Sequence, residues 1–191
     1  MRLVLASTSP QRRAILEQLR IPFEVVAPDY VEDDDPGADA TELVRAHAFG
    51  KARSVAQDDR LTLAVDTTVV LNGRLYAKPA DRTDAEAMLR ELSGRTHGVI
   101  SGLCLLGAGV EVVEHEETAV LFRRLTEETL DLYLASGEWQ GRAGGYAIQG
   151  LGGRLVERID GDYLNVVGLP AALLVGLLET HAPELLFSAD L

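Results

Sequence analysis

The sequence has little cysteine and a deficit of positive charge. Cys104 is the single cysteine among 191 residues, so no intramolecular disulfide can form, and its apolar neighbours favour a buried structural thiol. Acidic residues outnumber basic ones 30 to 18, which gives a net charge of −12. This balance argues against broad binding to nucleic acid or to an anionic membrane, although a small basic pocket within an acidic surface fits it.

Long apolar runs are also missing. The first residues lack a basic region followed by a long apolar core, so we expect no signal peptide. The apolar run at 171–178 is too short to span a bilayer and is typical of a packed helix. A soluble cytoplasmic protein is the default that follows. Hydrophobic residues make up 47% of the chain, enough for the core of one domain over 1–191, or of two small lobes.

The first stretch of the chain predicts a strand, a turn and a helix. Leu3–Ala6 is a short apolar run typical of a buried strand, and Ser9 before Pro10 is typical of a helix N-terminus. Arg12 and Arg13 then stand in the first helical turn, where a cation opposes the helix dipole unless an anion lies beside it. The pattern indicates a phosphate site. The alternative is that Ser9 and Pro10 only cap the helix and the arginines are solvated.

Two carboxylates stand out further along the chain. Asp66 interrupts the apolar, β-branched strand predicted over 61–71, and a buried carboxylate is costly unless it is paired, metal-bound or hydrogen-bonded. Together with Thr67 it offers an acid and a hydroxyl at one edge, which favours function over the alternative of an aspartate that ties down a loop. Glu32 follows the second predicted strand, where a carboxylate could turn inward, whereas Asp33–Asp35 are expected to be solvated.

The remaining pattern alternates helices and strands. A helix is predicted over 40–56 with Thr41 as a possible cap, and Lys51 near its apolar face is expected to be solvated rather than functional. The predicted apolar face consists of Leu43, Ala46, Phe49 and Ala52. Asn72-Gly73 predicts a hairpin turn. His97 and His115 have no companion ligands, so no histidine metal site is predicted.

A glycine-rich stretch precedes the last strand. Seven glycines lie between residues 137 and 153, together with Trp139 and Tyr146. This composition suggests close approach of the backbone to a ligand. The alternative is a flexible linker, although linkers rarely carry tryptophan, tyrosine and isoleucine among their glycines.

Taken together, these motifs resemble those of the Maf family, in order and over nearly the whole chain. The motifs are Ser7-Thr8-Ser9-Pro10 with Arg12, Lys51-Ala52, Asp66-Thr67, Lys78-Pro79, Leu92-Ser93-Gly94 with His97, Gly141–Gly150 and Asn165–Pro170. One departure is that Gln11 stands where the family often has the first arginine of Ser-Pro-Arg-Arg. Gln11 is therefore not a candidate phosphate ligand, and Arg13 is a weaker candidate than Arg12.

The resemblance implies a fold and a reaction. The expected fold is α/β, with a mixed central sheet, flanking helices and a deep substrate cleft of the Maf/ITPase type, usually in a homodimer. The expected activity is hydrolysis of a nucleoside triphosphate to the monophosphate and pyrophosphate, linked to clearing nucleotide pools and to inhibition of septum formation. Thr67 and the run Ile148-Gln149-Gly150 are similar to the branch that acts on dTTP and UTP, whereas the branch that prefers 7-methyl-GTP tends to carry Asp-Gln and Ser-Glu-Gly there.

The resemblance also implies roles for particular residues. Asp66 is the expected catalytic base and, with Glu32, a ligand of Mg²⁺ or Mn²⁺. The expected substrate ligands are Ser7, Arg12, Arg13, Lys51, Thr67, Lys78 and Gln149. Nucleic acid and membrane are not expected partners. Two alternatives stay open, which are an enzyme for 7-methyl-GTP or other modified triphosphates, and a non-catalytic regulator of division that only senses nucleotides.

Overall fold

Seven strands form one mixed sheet in a computed structural model that describes residues 3–32 and 37–187. The strands are β1 (Leu3–Ala6), β2 (Phe23–Val26), β3 (Leu61–Leu71), β4 (Arg74–Tyr76), β5 (Thr96–Gly107), β6 (Val110–Phe122) and β7 (Val156–Asp160). The α-helices are α1 (Pro10–Gln18), α2 (Ala40–Val55), α3 (Arg82–Leu92), α4 (Glu127–Ser136), α5 (Tyr163–Val167) and α6 (Ala171–His181). Short 3-10 turns cover Ala143–Gly145, Gly150–Arg154 and Pro183–Leu185. The predicted α/β fold with a mixed central sheet and flanking helices is confirmed.

The order of strands places a ligand site at one edge of β3. The sheet runs β2-β1-β3-β5-β6-β7, with β1 parallel to both of its neighbours and the other pairs antiparallel. On the edge of β3 away from β5, β1 pairs with Leu61–Leu63 and β4 pairs with Val69–Leu71. Residues 64–68 lie between these segments, beside neither strand. Asp66 and Thr67 therefore stand in a gap just past the carboxyl end of β1, where open α/β sheets bind ligands.

Two apolar clusters share one face of the sheet and meet at this gap. The first cluster contains Leu63 and Val65 of β3 with apolar residues of β1, α1 and α6. The second contains Val69 of β3 with apolar residues of α3, α4 and β6. Thr67 falls between them by the two-residue repeat of the strand, as does Ser101, its partner in β5. A polar pair thus divides an otherwise apolar face.

Helix α2 covers the opposite face of the sheet at close range. Its Ala48 and Ala52 pack against small residues of β1, β3 and β5, including the buried Cys104. Burial raises the pKa of the Cys104 thiol to about 12, as expected for a structural cysteine. A Cβ atom at Gly102 would lie 2.2 Å from the carbonyl oxygen of Val44, so only glycine permits this approach. Gly102 is also the register partner of Asp66 in β5, which brings α2 directly over the carboxylate.

The buried face of α2 differs from the predicted one. The residues buried on it are Val44, His47, Ala48, Lys51 and Ala52. Among the predicted face residues, Ala46 is exposed and Leu43 and Phe49 are half-buried. The expectation that Lys51 is solvated is therefore wrong. Its ion pair with Asp66 offsets the free-energy cost of burying the ammonium group. The cap is Asp39 rather than Thr41, since the Asp39 carboxylate accepts hydrogen bonds from the first backbone N–H groups of the helix.

Other predicted boundaries lie within a few residues of the observed ones. The apolar pattern over 21–27 predicts a second strand, of which the structure forms Phe23–Val26, and the alternation over 110–125 predicts a strand that in the structure ends at Phe122. Asp33–Asp35 lie outside the described residues, so their solvation stays a prediction. In the described ranges no helix combines the length and the apolar character that crossing a bilayer requires.

Candidate active site

A cleft of about 760 Å³ opens at the gap in the sheet. It brings together eight of the nine residues predicted for the site, which are Ser7, Arg12, Glu32, Lys51, Asp66, Thr67, Lys78 and Gln149. The ninth, Arg13, is exposed on α1 and is not among the residues that line the cleft. The strand–turn–helix, α2, β3 and the glycine-rich stretch thus contribute to one site.

Arg12 is fixed by neutral oxygen atoms. Its Nε donates to the Gly168 carbonyl at 2.8 Å, and its two terminal nitrogens donate to Ser7 Oγ at 3.3 Å and to Thr67 Oγ1 at 3.2 Å. Burial lowers the pKa of Arg12, and the charges of Asp66 and Glu32 oppose that shift. Because these three acceptors carry no formal charge, the guanidinium keeps its positive charge available to an anion in the cleft.

Lys51 bridges the two predicted metal-ligating carboxylates. Its Nζ lies 2.5 Å from Glu32 Oε1 and 2.6 Å from Asp66 Oδ1. The Lys51 side chain is 9% exposed and that of Asp66 is 13% exposed, so solvent screens their attraction weakly. Helix α2 therefore places a cation at the wall of the cleft.

The environment of Asp66 keeps its carboxylate ionised. Burial alone would raise the pKa of Asp66, but the nearby imidazole of His47, the charge and hydrogen bond of Lys51 and the charge of Arg12 together hold it well below its usual range. A group with so low a pKa is a weak base as long as these contacts persist.

The hydroxyl groups of Thr67 and Ser101 continue the polar network across the sheet. They lie 2.9 Å apart on adjacent strands, and Ser101 is fully buried. Thr67 thus contacts Arg12 on one side and Ser101 on the other. This network fixes the threonine hydroxyl at the cleft wall.

The side chains of Glu138, within the glycine-rich stretch, and Tyr133, before it, hold that stretch in place. The Glu138 carboxylate accepts hydrogen bonds from the backbone N–H groups of Leu151 at 3.1 Å and Gly152 at 3.2 Å. The Tyr133 hydroxyl accepts one from the N–H of Ala147 at 3.0 Å. Gln149 lies between these anchored points and is exposed at the cleft. The flexible-linker alternative does not describe this segment.

The two carboxylates are suited to a hard divalent cation. Glu32 and Asp66 already converge on one cationic group, the ammonium of Lys51. Their oxygen atoms are the ligands that Mg²⁺ and Mn²⁺ prefer, and Mg²⁺ is commonly held by one or two carboxylates with phosphate oxygens and water. In residues 3–32 and 37–187, no group of three or more His, Cys, Asp or Glu side chains is arranged for a metal. The donor set therefore fits a cation that is shared with a phosphate-bearing ligand.

Sequence reasoning missed three residues of this network. His47 lies 3.5 Å from Asp66 and precedes Lys51 by one helical turn, so their i, i+4 spacing was an available signal. Ser101 is a hydroxyl within an apolar strand, a pattern that also marks Asp66. Glu138 offered no such signal, because its partners are backbone groups that only the folded chain brings near.

Comparison with known proteins identifies the family of this chain. A family model described as Maf-like protein matches residues 2–181. The chain belongs to the Maf-like protein family. The family model thus extends over nearly the whole chain.

Similar proteins whose names state an activity align with this chain over most of its length and of theirs. The dTTP/UTP pyrophosphatase of Deinococcus radiodurans is 46% identical over 182 residues, which is 93% of this chain and 91% of that protein. The protein of the same name from Pyrococcus furiosus is 40% identical over 185 residues, 93% of this chain and 94% of that protein. Among solved structures, the Ham1 protein of Staphylococcus aureus aligns with 64% of this chain and 72% of that one, at 17% identity and a TM-score of 0.46.

Proposed function

We propose that this protein hydrolyses nucleoside triphosphates, with dTTP and UTP preferred, to the monophosphate and pyrophosphate. The observation that carries the proposal is the carboxylate of Asp66, whose side chain is 13% exposed, in one cleft with the cations Arg12, Lys51 and Lys78. A triphosphate requires several cations and N–H donors, and a water nucleophile requires a group that orients it. The names of the similar proteins support the same reaction.

In this mechanism Lys51 moves from the carboxylates to the substrate. Arg12 and Lys78 bind phosphate oxygens, and Lys51 exchanges its contact with Asp66 for a contact with the phosphate chain. When the ammonium leaves, Asp66 Oδ1 becomes free to accept a hydrogen bond from water. Asp66 then orients and deprotonates a water molecule that attacks the α-phosphorus, and pyrophosphate leaves.

Glu32 and Asp66 would hold the divalent cation of this reaction. When bound, Mg²⁺ or Mn²⁺ supplies charge neutralisation on the phosphate oxygens. Before substrate binds, Lys51 and the divalent cation would both contact the carboxylates of Glu32 and Asp66.

Gln149 is proposed to read the base. Thymine and uracil share an imide edge with two carbonyl groups and one N–H, and an amide side chain offers both a donor and an acceptor to that edge. Methylated guanine is larger and positively charged, so a carboxylate would suit it better than the neutral Gln149. The homodimer, the cytoplasmic location and the link to septum formation belong to the proposal through the family alone.

Product analysis tests the proposal. Purified protein is incubated with dTTP, UTP and 7-methyl-GTP, with and without Mg²⁺ or Mn²⁺, and pyrophosphate, orthophosphate and nucleotides are measured. We expect pyrophosphate and monophosphate from dTTP and UTP, and no turnover by a folded Asp66→Asn variant, whose amide is a poor base and metal ligand. Orthophosphate with a diphosphate would place the attack at the γ-phosphorus. Tight nucleotide binding without turnover would favour the sensor alternative.

A further inference from the structure

His47 contacts the carboxylate of Asp66 from the same helix as Lys51. Residues four apart lie on one face of a helix, and on α2 this face is turned to the sheet. His47 is 3% exposed, and its Nδ1 lies 3.5 Å from Asp66 Oδ2. Lys51 instead contacts the other oxygen, Oδ1, at 2.6 Å. Each oxygen of the carboxylate therefore has its own partner, and the two partners together define the rotation of the carboxylate plane.

The imidazole is held from the cleft side by Tyr30. The two rings meet edge-to-face, with centroids 5.8 Å apart and an angle of 65° between their planes. Tyr30 reaches this position because α2 has no side chain at Gly50, where a Cβ would lie 2.2 Å from the tyrosine ring. The ring of His47 is thus confined between Tyr30 and the sheet.

The contacts of His47 and Lys51 have different fates during the proposed reaction. Lys51 is shared between Asp66 and Glu32 and exchanges the carboxylates for phosphate oxygens when substrate binds. His47 lies behind Asp66 on the buried face of α2, and it is not among the residues that line the cleft. Its contact with Oδ2 therefore persists when Lys51 leaves.

We propose that His47 is a positioning residue, which donates from Nδ1 to Oδ2 and so holds Asp66 with Oδ1 presented to the attacking water. This inference rests on the proposed function. Hydrogen bonds at such sites are often long in the free protein and tighten in the substrate complex. His47 itself touches neither substrate nor water and acts only through Asp66.

Three substitutions separate positioning from packing. His47→Leu keeps the volume and removes the donor, His47→Asn places an amide nitrogen near the position of Nδ1, and His47→Gln places it near that of Nε2. We expect kcat for dTTP to fall roughly 10- to 100-fold in His47→Leu and His47→Gln, as for other groups that orient a reacting side chain. His47→Asn should retain kcat within about fivefold of wild type, since the conservative donor restores the contact.

A binding measurement distinguishes this role from substrate binding. Calorimetry with α,β-imido-dUTP, which resists cleavage at the α-phosphorus, should give a Kd within about threefold of wild type for all three variants, because the lost interaction belongs to the transition state. Val44→Ala is the packing control, since this fully buried residue lies on the same face of α2 and its loss leaves the donor in place. It should lower stability and leave kcat near that of wild type.

Several outcomes would overturn the inference. They are a normal kcat in folded His47→Leu, equal losses in the asparagine and glutamine variants, or a Kd that weakens in parallel with kcat. If His47→Leu does not fold, the comparison of kcat between His47→Asn and His47→Gln still distinguishes positioning from packing. Absence of pyrophosphate release from wild type would instead refute the proposed function. A wild type that turns over, an inactive Asp66→Asn and unaffected His47 variants would refute only the positioning role.

Discussion

At the scale of single residues, the cleft holds its cations in two different ways. Lys51 is paired with two carboxylates, whereas Arg12 is held by one carbonyl and two hydroxyl oxygens. A cation that already has an anionic partner can be exchanged between anions during a reaction. One that is held by neutral oxygens presents a fixed charge. Arg12 is therefore suited to binding phosphate throughout the reaction, and Lys51 to moving within it.

The adjacent arginines allow a matched comparison. Arg12→Ala should lower kcat/KM on the order of 10²-fold or more, as for the loss of other preorganised charge donors. Arg13→Ala makes the same change of charge one position later, and because Arg13 is exposed outside the cleft it should change kcat/KM by less than about threefold. Steady-state kinetics with dTTP measure both. Equal, large losses would mean that the phosphate site extends to Arg13.

His97 gives stability a dependence on pH. Its ring is buried behind the cleft and lies 2.9 Å from the Tyr146 hydroxyl. Burial lowers the pKa of His97 from 6.5 to about 4. Between these values the unfolded chain binds more protons than the folded one, so the contribution to stability is full above pH 6.5 and is lost as pH falls toward 4.

The difference between wild type and His97→Gln isolates this effect, since other titrating groups are common to both. The free energy of unfolding in urea is measured at pH 7 and pH 5. We expect it to fall by about 2 kcal/mol more in wild type than in the variant, from 1.36 kcal/mol for each unit between pH 6.5 and pH 5. The same fall in both proteins would contradict the pKa assigned to His97.

The residues that sequence could predict are those whose chemistry conflicts with their local pattern. Asp66 interrupts an apolar strand, and Arg12 opposes a helix dipole. Each of these residues therefore indicates a functional role from the sequence alone. His47 does not conflict with its surroundings in the sequence, because histidine is common on helices. Its role depends on the depth at which α2 packs, which is a property of tertiary structure.

At the scale of elements, the distance between α2 and β5 sets the geometry of the site. Apolar spacing alone predicted a face around Leu43 and Ala46, which differs from the observed face. The observed rotation of the helix is set instead by small residues that allow close contact and by Asp66, which draws Lys51 inward. A pattern that counts only apolar residues misses a face whose partners include a carboxylate.

Gly102→Ala tests this contact. The added methyl group would lie 2.2 Å from the carbonyl oxygen of Val44, so α2 has to move outward and carries His47 and Lys51 away from Asp66. We expect the free energy of unfolding to fall by about 1–3 kcal/mol, as for other overpacked sites, and kcat to fall as well. Urea denaturation and dTTP kinetics measure the two effects.

Gly176→Ala is the matched control for that substitution. Gly176 is exposed on α6, and a Cβ there would meet nothing within 4 Å. Alanine should therefore be neutral or should stabilise the helix by up to about 1 kcal/mol, with unchanged kinetics. If Gly102→Ala behaved in the same way, close packing of α2 would not be needed at the site.

At the scale of the whole molecule, the cleft lies between two apolar clusters on one face of a continuous sheet. Strands β3 and β5 pass through both clusters, while the β1–α1 turn borders the first and the glycine-rich stretch borders the second. The net charge is −12, yet the cleft is lined by Arg12, Lys51, Lys78 and Arg142. The composition did not exclude such a basic pocket, but it did not indicate that the pocket would lie at the boundary between two parts of the core.

This arrangement predicts how a ligand changes thermal unfolding. Because the cleft has residues from both sides of the boundary and two strands run through both clusters, unfolding should be one transition that shifts as a whole. At α,β-imido-dUTP concentrations of about 100 times Kd, the stabilisation is about 2.7 kcal/mol. For a chain of this length that corresponds to a rise in Tm of roughly 5–11 °C. Differential scanning calorimetry measures the shift, and Arg12→Ala should reduce it at the same ligand concentration. Two transitions, of which only one moves with ligand, would mean that the clusters unfold as separate lobes.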